Sequence, residues 1–225
     1  MPVQVLCDLR KQFGSVRDQD QRPTCLAFAA SDAHASLRPP WAPLSVEYAF
    51  YHAQRRAGRS PHVGATLPAM LDALREDGQP VEAGWPYLAV IPADWKPCPN
   101  VGTLYRRSGQ KGGSTLGEII DRLDEDKAVL VLLTLSSSFD VATPSNYVVD
   151  QRPGEQSNPA RRHAVIAVGH GLSDGKKVVL VRNSWGEFWG LEGHAWLTEA
   201  YLTPRVFRLG VLTEDPDVQS NPAAA

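Results

Sequence analysis

At 225 residues, 43% of them hydrophobic and 21% charged, the chain can bury the core of one large domain or of two closely packed halves. A formal net charge of −2 leaves no basic excess to neutralise phosphates, which argues against nucleic acid as a partner. The longest strongly apolar run, Ala128 to Leu135, is far too short to cross a bilayer, so no membrane partner is expected. Three cysteines, Cys7, Cys25 and Cys98, are an odd number, so at least one thiol lacks a mate within the chain. That disfavours a disulfide-stapled secreted scaffold. With a Met-Pro-Val-Gln start that carries no basic-then-apolar leader, a reducing, cytoplasmic setting is expected, with leaderless export left open.

Thr24 is placed to cap a helix from Cys25 to about Ser36, which Arg38-Pro39-Pro40 would end. Ser45 opens a second helix carrying Tyr48, Ala49 and His52. A third runs from Thr66 through Leu67, Met70, Leu71 and Leu74 to a stop at Gly78. Thr115 and Glu118 form a capping-box pattern for a fourth. After it the period changes to short strands over Ala128–Leu135, His163–Val168, Lys177–Val181, His194–Leu197 and Val206–Leu212. Between them lie loop clusters, notably Asp150 to Ala160. Helices first and strands later predict an α+β protein with two halves packed face to face.

The chemistry-bearing residues are few. Cys25, at the first turn of a helix after Pro23-Thr24, sits where the helix dipole most lowers a thiol pKa, although a lone cysteine is more often a small buried hydrophobe. His163 begins an apolar strand, a common place for a structural histidine. Asn183 would mark only a turn, were it not followed by Trp185 and Trp189 among glycines. A thiol is a useful nucleophile when a base takes its proton and a third group orients that base. Cys25, His163 and Asn183 can fill those roles, with Gln19 as an oxyanion donor. No Cys or His cluster has metal-ligand spacing, so neither a metal nor a cofactor is expected.

The order Gln19, Cys25, His163, Asn183 resembles the papain-like cysteine peptidases, the family that serves as the general example of a Cys-His-Asn site. Five segments carry the resemblance. They are Val16-Arg17-Asp18-Gln19 leading to Cys25-Leu26-Ala27-Phe28, Gly64-Ala65-Thr66-Leu67, Trp85-Pro86-Tyr87, His163 through Gly171, and Asn183-Ser184-Trp185-Gly186 through Gly193. The resemblance implies a papain-like two-lobed fold with a helical left lobe, a β-barrel-like right lobe and the active-site cleft between them. It implies one catalytic domain over residues 1–213, with the helical lobe mainly 15–110 and the β lobe mainly 111–213; the polar, Pro-containing and Ala-ended composition of 214–225 reads as a flexible tail. Cys25 would be the thiolate, His163 the acid–base, and Asn183 the orienter shielded by Trp185. Gln19 and the Cys25 amide would form the oxyanion hole. Gly64, Ala65, Thr66, Leu67, Leu132 and Ala164 would line the substrate cleft.

The implied activity is peptide-bond hydrolysis through an acyl-enzyme, acting on a peptide or protein, with a regulatory partner or inhibitor as a further expected contact. Two other readings stand beside it: a catalytically silent binding module, and a thiol hydrolase or acyltransferase acting on amide, isopeptide or thioester substrates. The departures from the pattern are local. Arg22-Pro23-Thr24-Cys25-Leu26 stands where the family has Cys-Gly-Ser-Cys-Trp, so the usual local disulfide cannot form. Arg161 and Arg162 precede His163, disfavour its protonation and make the rim attractive to acidic substrates. No pro-region precedes the nucleophile segment, which implies restraint by other means.

Overall fold

The computed structural model describes residues 3–213. The tail read as flexible, 214–225, lies outside the described residues. Helix α1 (Cys25–Ser36) is buried on nearly all sides, from Leu26 to Ala35, as a helix without a polar face must be. Around it lie α2 (Val46–Ala57) and α3 (Leu67–Glu76). The Ser45 hydroxyl caps α2 by accepting from the Tyr48 amide at 3.1 Å, and Gly58, at φ 60°, closes it in the left-handed conformation. Thr24 behaves differently from the expectation. Its side chain caps nothing; the hydroxyl meets the Tyr87 hydroxyl at 2.8 Å, while its carbonyl accepts from the Phe28 amide to start α1.

The strands form one sheet, drawn mostly from the second half of the chain. Its strands are β1 (Gln4–Asp8), β2 (Gly109–Lys111), β3 (Val129–Leu135), β4 (Val148–Val149), β5 (Asn158–Ser173), β6 (Lys176–Arg182), β7 (His194–Thr198) and β8 (Val206–Leu212). The order is β2-β8-β3-β5-β6-β7-β4, with the N-terminal β1 added along β5, antiparallel except for β4 on β7. This corrects the barrel-like expectation. The sheet is open, with the three-residue β2 and two-residue β4 at its two ends rather than paired to one another.

Strand β5 runs longer at both ends than the periodicity indicated. Pro159 is tolerated because it lies near the strand start. Gly169 and Gly171, which read as the strand's end, instead let β1 approach. A Cβ at Gly169 would fall 2.5 Å from the Cys7 carbonyl oxygen.

The apolar run at 128–135 has no polar face because both faces of the sheet are covered. Leu130, Leu132, Ala164, Ile166, Val178 and Leu180 pack with the apolar residues of α1–α3. Val129, Val131, Leu133, Val165, Ala167 and Val179 face the other way, against α4 (Leu116–Asp124) and α6 (Glu199–Leu202). Each such side chain contributes roughly 1.5–3 kcal/mol on burial. The capping box of α4 forms by halves: Thr115 accepts from the Glu118 amide, but the Glu118 carboxylate bonds the Gly113 amide.

One buried carboxylate ties the helical half to the sheet. Asp32, two turns beyond Cys25 on the same face of α1, receives Arg182 Nε at 2.9 Å and Nη2 at 2.8 Å, and Arg17 Nη2 at 2.5 Å. Arg182 is the last residue of β6, immediately before Asn183, and its remaining donors reach the Gly14 and Ser15 carbonyls. Arg17 goes on to Glu82 and the Leu44 carbonyl. Removing one partner of a buried pair strands the other charge, at a cost of about 3–5 kcal/mol. Asp32→Asn should therefore lose about that much stability in urea unfolding. A loss within the error of the measurement would show that the pair is not what joins the halves.

Candidate active site

The site is built where the N-terminus of α1 meets strand β5. Cys25 is the first residue of α1, next to its exposed amides. Burial pushes the Cys25 thiol up, and hydrogen bonds from the backbone of Ala164, Leu26 and Cys25 itself work against that. The Ala164 contact matters most for geometry, because Ala164 follows His163 on the opposite wall. Cys25 and His163 line one cleft of about 780 Å³.

His163 is buried, and its Nε2 lies 2.7 Å from Asn183 Oδ1. The same oxygen accepts from the Ser184 amide at 2.9 Å. A backbone N–H can only donate, so that atom of Asn183 is the carbonyl oxygen and His163 Nε2 must carry the hydrogen. Nδ1 is left as the proton acceptor. Desolvation pushes the His163 imidazole down to about 4. The Asn183 bond opposes that shift, Arg161 adds to it, and Asp140 counters Arg161. The rim charge is largely internal: Arg161 holds Asp140 through two bonds of 2.7 and 2.9 Å.

An aromatic box closes over the His163–Asn183 bond. Trp185 lies 4.8 Å from the His163 ring at 40°. Phe139, from the short α5 (Ser137–Asp140), stands edge-on to both at 5.4 and 5.8 Å. Trp189 packs on Phe139 at 4.8 Å and donates its indole N–H to the Phe139 carbonyl. The sequence reading missed Phe139. The available signal was a lone aromatic in a serine-rich stretch after an apolar strand.

Gln19 is stitched to the same segment. Its amide donates to the Ser184 carbonyl at 2.9 Å, its Oε1 accepts from Ser184 Oγ at 2.7 Å, and its Nε2 donates to the Arg22 carbonyl at 2.8 Å. One Nε2 hydrogen remains for a ligand. Gln19, Trp185, Gly64, Ala65, Thr66, Leu67, Leu132 and Ala164 all line the cleft shared by Cys25 and His163; Asn183 stands behind it. Among the described residues, no group of three or more His, Cys, Asp or Glu could hold a metal ion, and no helix is long and apolar enough to cross a membrane.

A family model described as papain family cysteine protease matches residues 106–202, the stretch that holds His163, Asn183 and Trp185. Xylellain, a cysteine protease from Xylella fastidiosa, superposes with a TM-score of 0.73 at 20% identity, over 95% of this chain and 86% of that one. The ragweed pollen allergen Amb a 11, a cysteine protease solved in its proform, gives 0.75 at 18% identity, over 96% and 66%. The chain is papain-like, in its fold and in the sequence of its β half. Two curated relatives align over short stretches. Chymopapain of Carica papaya is 56% identical over 32 residues, and mouse cathepsin K 51% over 35. These alignments cover 14% and 16% of this chain but 9% and 11% of those proteins.

Arg22, which stands where the family's pattern has the first cysteine of the nucleophile segment, makes a buried ion pair instead. All three cysteines are free. Arg22 binds the fully buried Glu47 bidentately, at 2.6 and 2.9 Å, and its guanidinium lies 4.9 Å over the Tyr87 ring. Glu47 is completed by the Leu88 amide and the Trp95 indole N–H. The turn before Cys25 is thus pinned by charge and independent of redox state. Glu47→Gln should cost about 3–5 kcal/mol in urea unfolding, with dithiothreitol leaving the wild-type midpoint unchanged. A wild-type midpoint that falls on reduction would contradict the electrostatic brace.

Below Asn183, His194 opposes Arg182 across β6 and β7. Desolvation, then Arg182, pushes its imidazole from 6.5 to about 4, while the Glu192 carbonyl works the other way. The unfolded chain therefore binds the proton first. The stabilising contribution is complete above pH 6.5 and is lost as pH falls towards 4, on the order of 3 kcal/mol. Urea stability should drop across that window, where the buried His163 titrates in the same sense, and His194→Gln should remove about half of the drop. An unchanged slope in the variant would rule out His194 as its source.

Proposed function

We propose that this chain is a cysteine peptidase that hydrolyses peptide bonds through Cys25, His163, Asn183 and Gln19. The observation that carries the reading is the fixed tautomer. Asn183 Oδ1 holds Nε2–H, which leaves Nδ1 free to take a proton in a cleft that also contains the Cys25 thiol.

Nδ1 takes the thiol proton, and the thiolate attacks the scissile carbonyl carbon. The oxyanion is held by the Gln19 side-chain amide and the Cys25 backbone N–H. The imidazolium passes its proton to the departing amine as the C–N bond breaks, leaving a thioester on Cys25. Water, deprotonated by the same nitrogen, attacks the thioester; the acid leaves and Sγ recovers its proton. Desolvation disfavours both charged groups taken singly, so the thiolate–imidazolium state depends on their mutual attraction, on the α1 N-terminus and on the Asn183 bond. Trp185 and Phe139 keep water off that bond and strengthen it.

The substrate in this reading is a peptide or protein, with Gly64–Leu67, Leu132 and Ala164 as contact residues and a regulatory protein as a further partner. Three free thiols support a reducing, cytoplasmic setting.

Cys25→Ala should abolish cleavage of a peptide library. Gln19→Ala should lower kcat by about 10²–10³ with KM little changed. Full turnover in Cys25→Ala would overturn the assignment. Binding without turnover in the wild type would favour the silent module instead.

A further inference from the structure

Every charged group that lines the cleft is a base. Four are arginines, Arg59, Arg161, Arg162 and Arg208, and the described lining contains no aspartate or glutamate. On a chain of net charge −2, this is local concentration and not a bulk excess. Arg161 is neutralised by Asp140. Arg59, Arg162 and Arg208 are exposed, and among the described residues none has a carboxylate partner. The Arg162 guanidinium lies 5.4 Å over the Phe207 ring, and Arg208 reaches only the Gly112 carbonyl, at 3.4 Å. The acid near that carbonyl, Glu118, is engaged by the Gly113 amide.

Sheet register places these cations beside an apolar floor. Leu132 on β3 is opposite Arg208 on β8 and Ala164 on β5, so the three side chains share one face. Arg162, two residues before Ala164, falls on that face too. Leu67 belongs to the same apolar cluster as Leu132 and Ala164 and lines the same cleft. The result is a greasy floor of Leu67, Leu132 and Ala164 with guanidinium groups at its rim. It fits a side chain with a short apolar stem and a terminal carboxylate.

We propose that the cleft selects acidic peptide segments, with Arg208 reading a glutamate or aspartate side chain seated over Leu132 and Ala164, and Arg162 and Arg59 extending the cationic rim. This rests on the peptidase reading for turnover but not for binding. Planar guanidinium groups pair well with carboxylates, and several cations acting together outweigh the small worth of one exposed pair.

The test uses peptides from a cleavage library, each remade with Glu, Gln or Lys at one position at a time. Two readouts run in parallel: kcat/KM of the wild-type chain, and fluorescence-anisotropy binding to Cys25→Ala. At one position Glu should exceed Gln by roughly tenfold in both at low salt. The ratio should shrink at about 0.5 M NaCl, where exposed charges are screened. Arg208→Glu should invert the order to favour Lys, with thermal unfolding as the check on folding, and Arg162→Glu should weaken the Glu preference without inverting it. Equal binding and turnover of Glu and Gln peptides overturns the acidic selection. Selective binding of Glu peptides with no turnover sustains it and sinks the peptidase reading instead.

Discussion

The Asp32 carboxylate is the constraint on which the arrangement depends. The proposed nucleophile, Cys25, and its proposed base, His163, can work together only if the two halves keep a fixed distance. Packing alone is weakly directional. A buried acid that accepts from Arg17 and Arg182 at once is strongly directional, because its lone pairs must all be met. Cys25 lies two turns along α1 from Asp32, and Asn183 follows Arg182. The ion pair therefore locates the thiol helix against the residue that orients His163.

The same economy of buried polar groups shapes the rest of the site. Ser184 feeds both Asn183 and Gln19, so the amide that holds His163 and the proposed oxyanion donor share one anchor. Arg22 and Glu47 fix the turn before Cys25 with charge. Phe139 is itself placed by polar contacts: Glu155 accepts from the Ser138 amide and the Ser137 and Ser138 hydroxyls, which hold its carboxyl down at about 2 although burial alone would raise it. Loop position, aromatic shielding and imidazole geometry are thus links of one chain.

Much of this was legible in the sequence, and the reasons for the gaps are physical. The helices after Ser45 and Thr115 announced themselves through caps that form, and those starting near Cys25 and Thr66 through their apolar residues and stop signals. The strands over 129–135 and 206–212 did so through length and composition. Strand β1 did not, because its burial is slight and only Gly169 and Gly171, far along the chain, reveal what it pairs with. Thr24 looked like a cap, yet Tyr87 claimed its hydroxyl, a tertiary contact with no local trace. Cys25, His163, Asn183 and Gln19 could be read as a set because their order is informative even where each alone is not, and the fold brings them together around one cleft. Phe139, Glu47 and Asp32 were invisible for the opposite reason: each acts through partners far away in sequence.

The central claim is that Cys25 and His163 share one proton across the cleft. The most direct measurement is the pH dependence of Cys25 alkylation by iodoacetamide, followed by mass spectrometry, in the wild type and in His163→Gln. Reactivity in the wild type should persist well below the ordinary thiol range near 8.5 and be lost in the variant, where the thiol titrates at or above that value. A single titration at or above the ordinary thiol range, the same in both proteins, would contradict it.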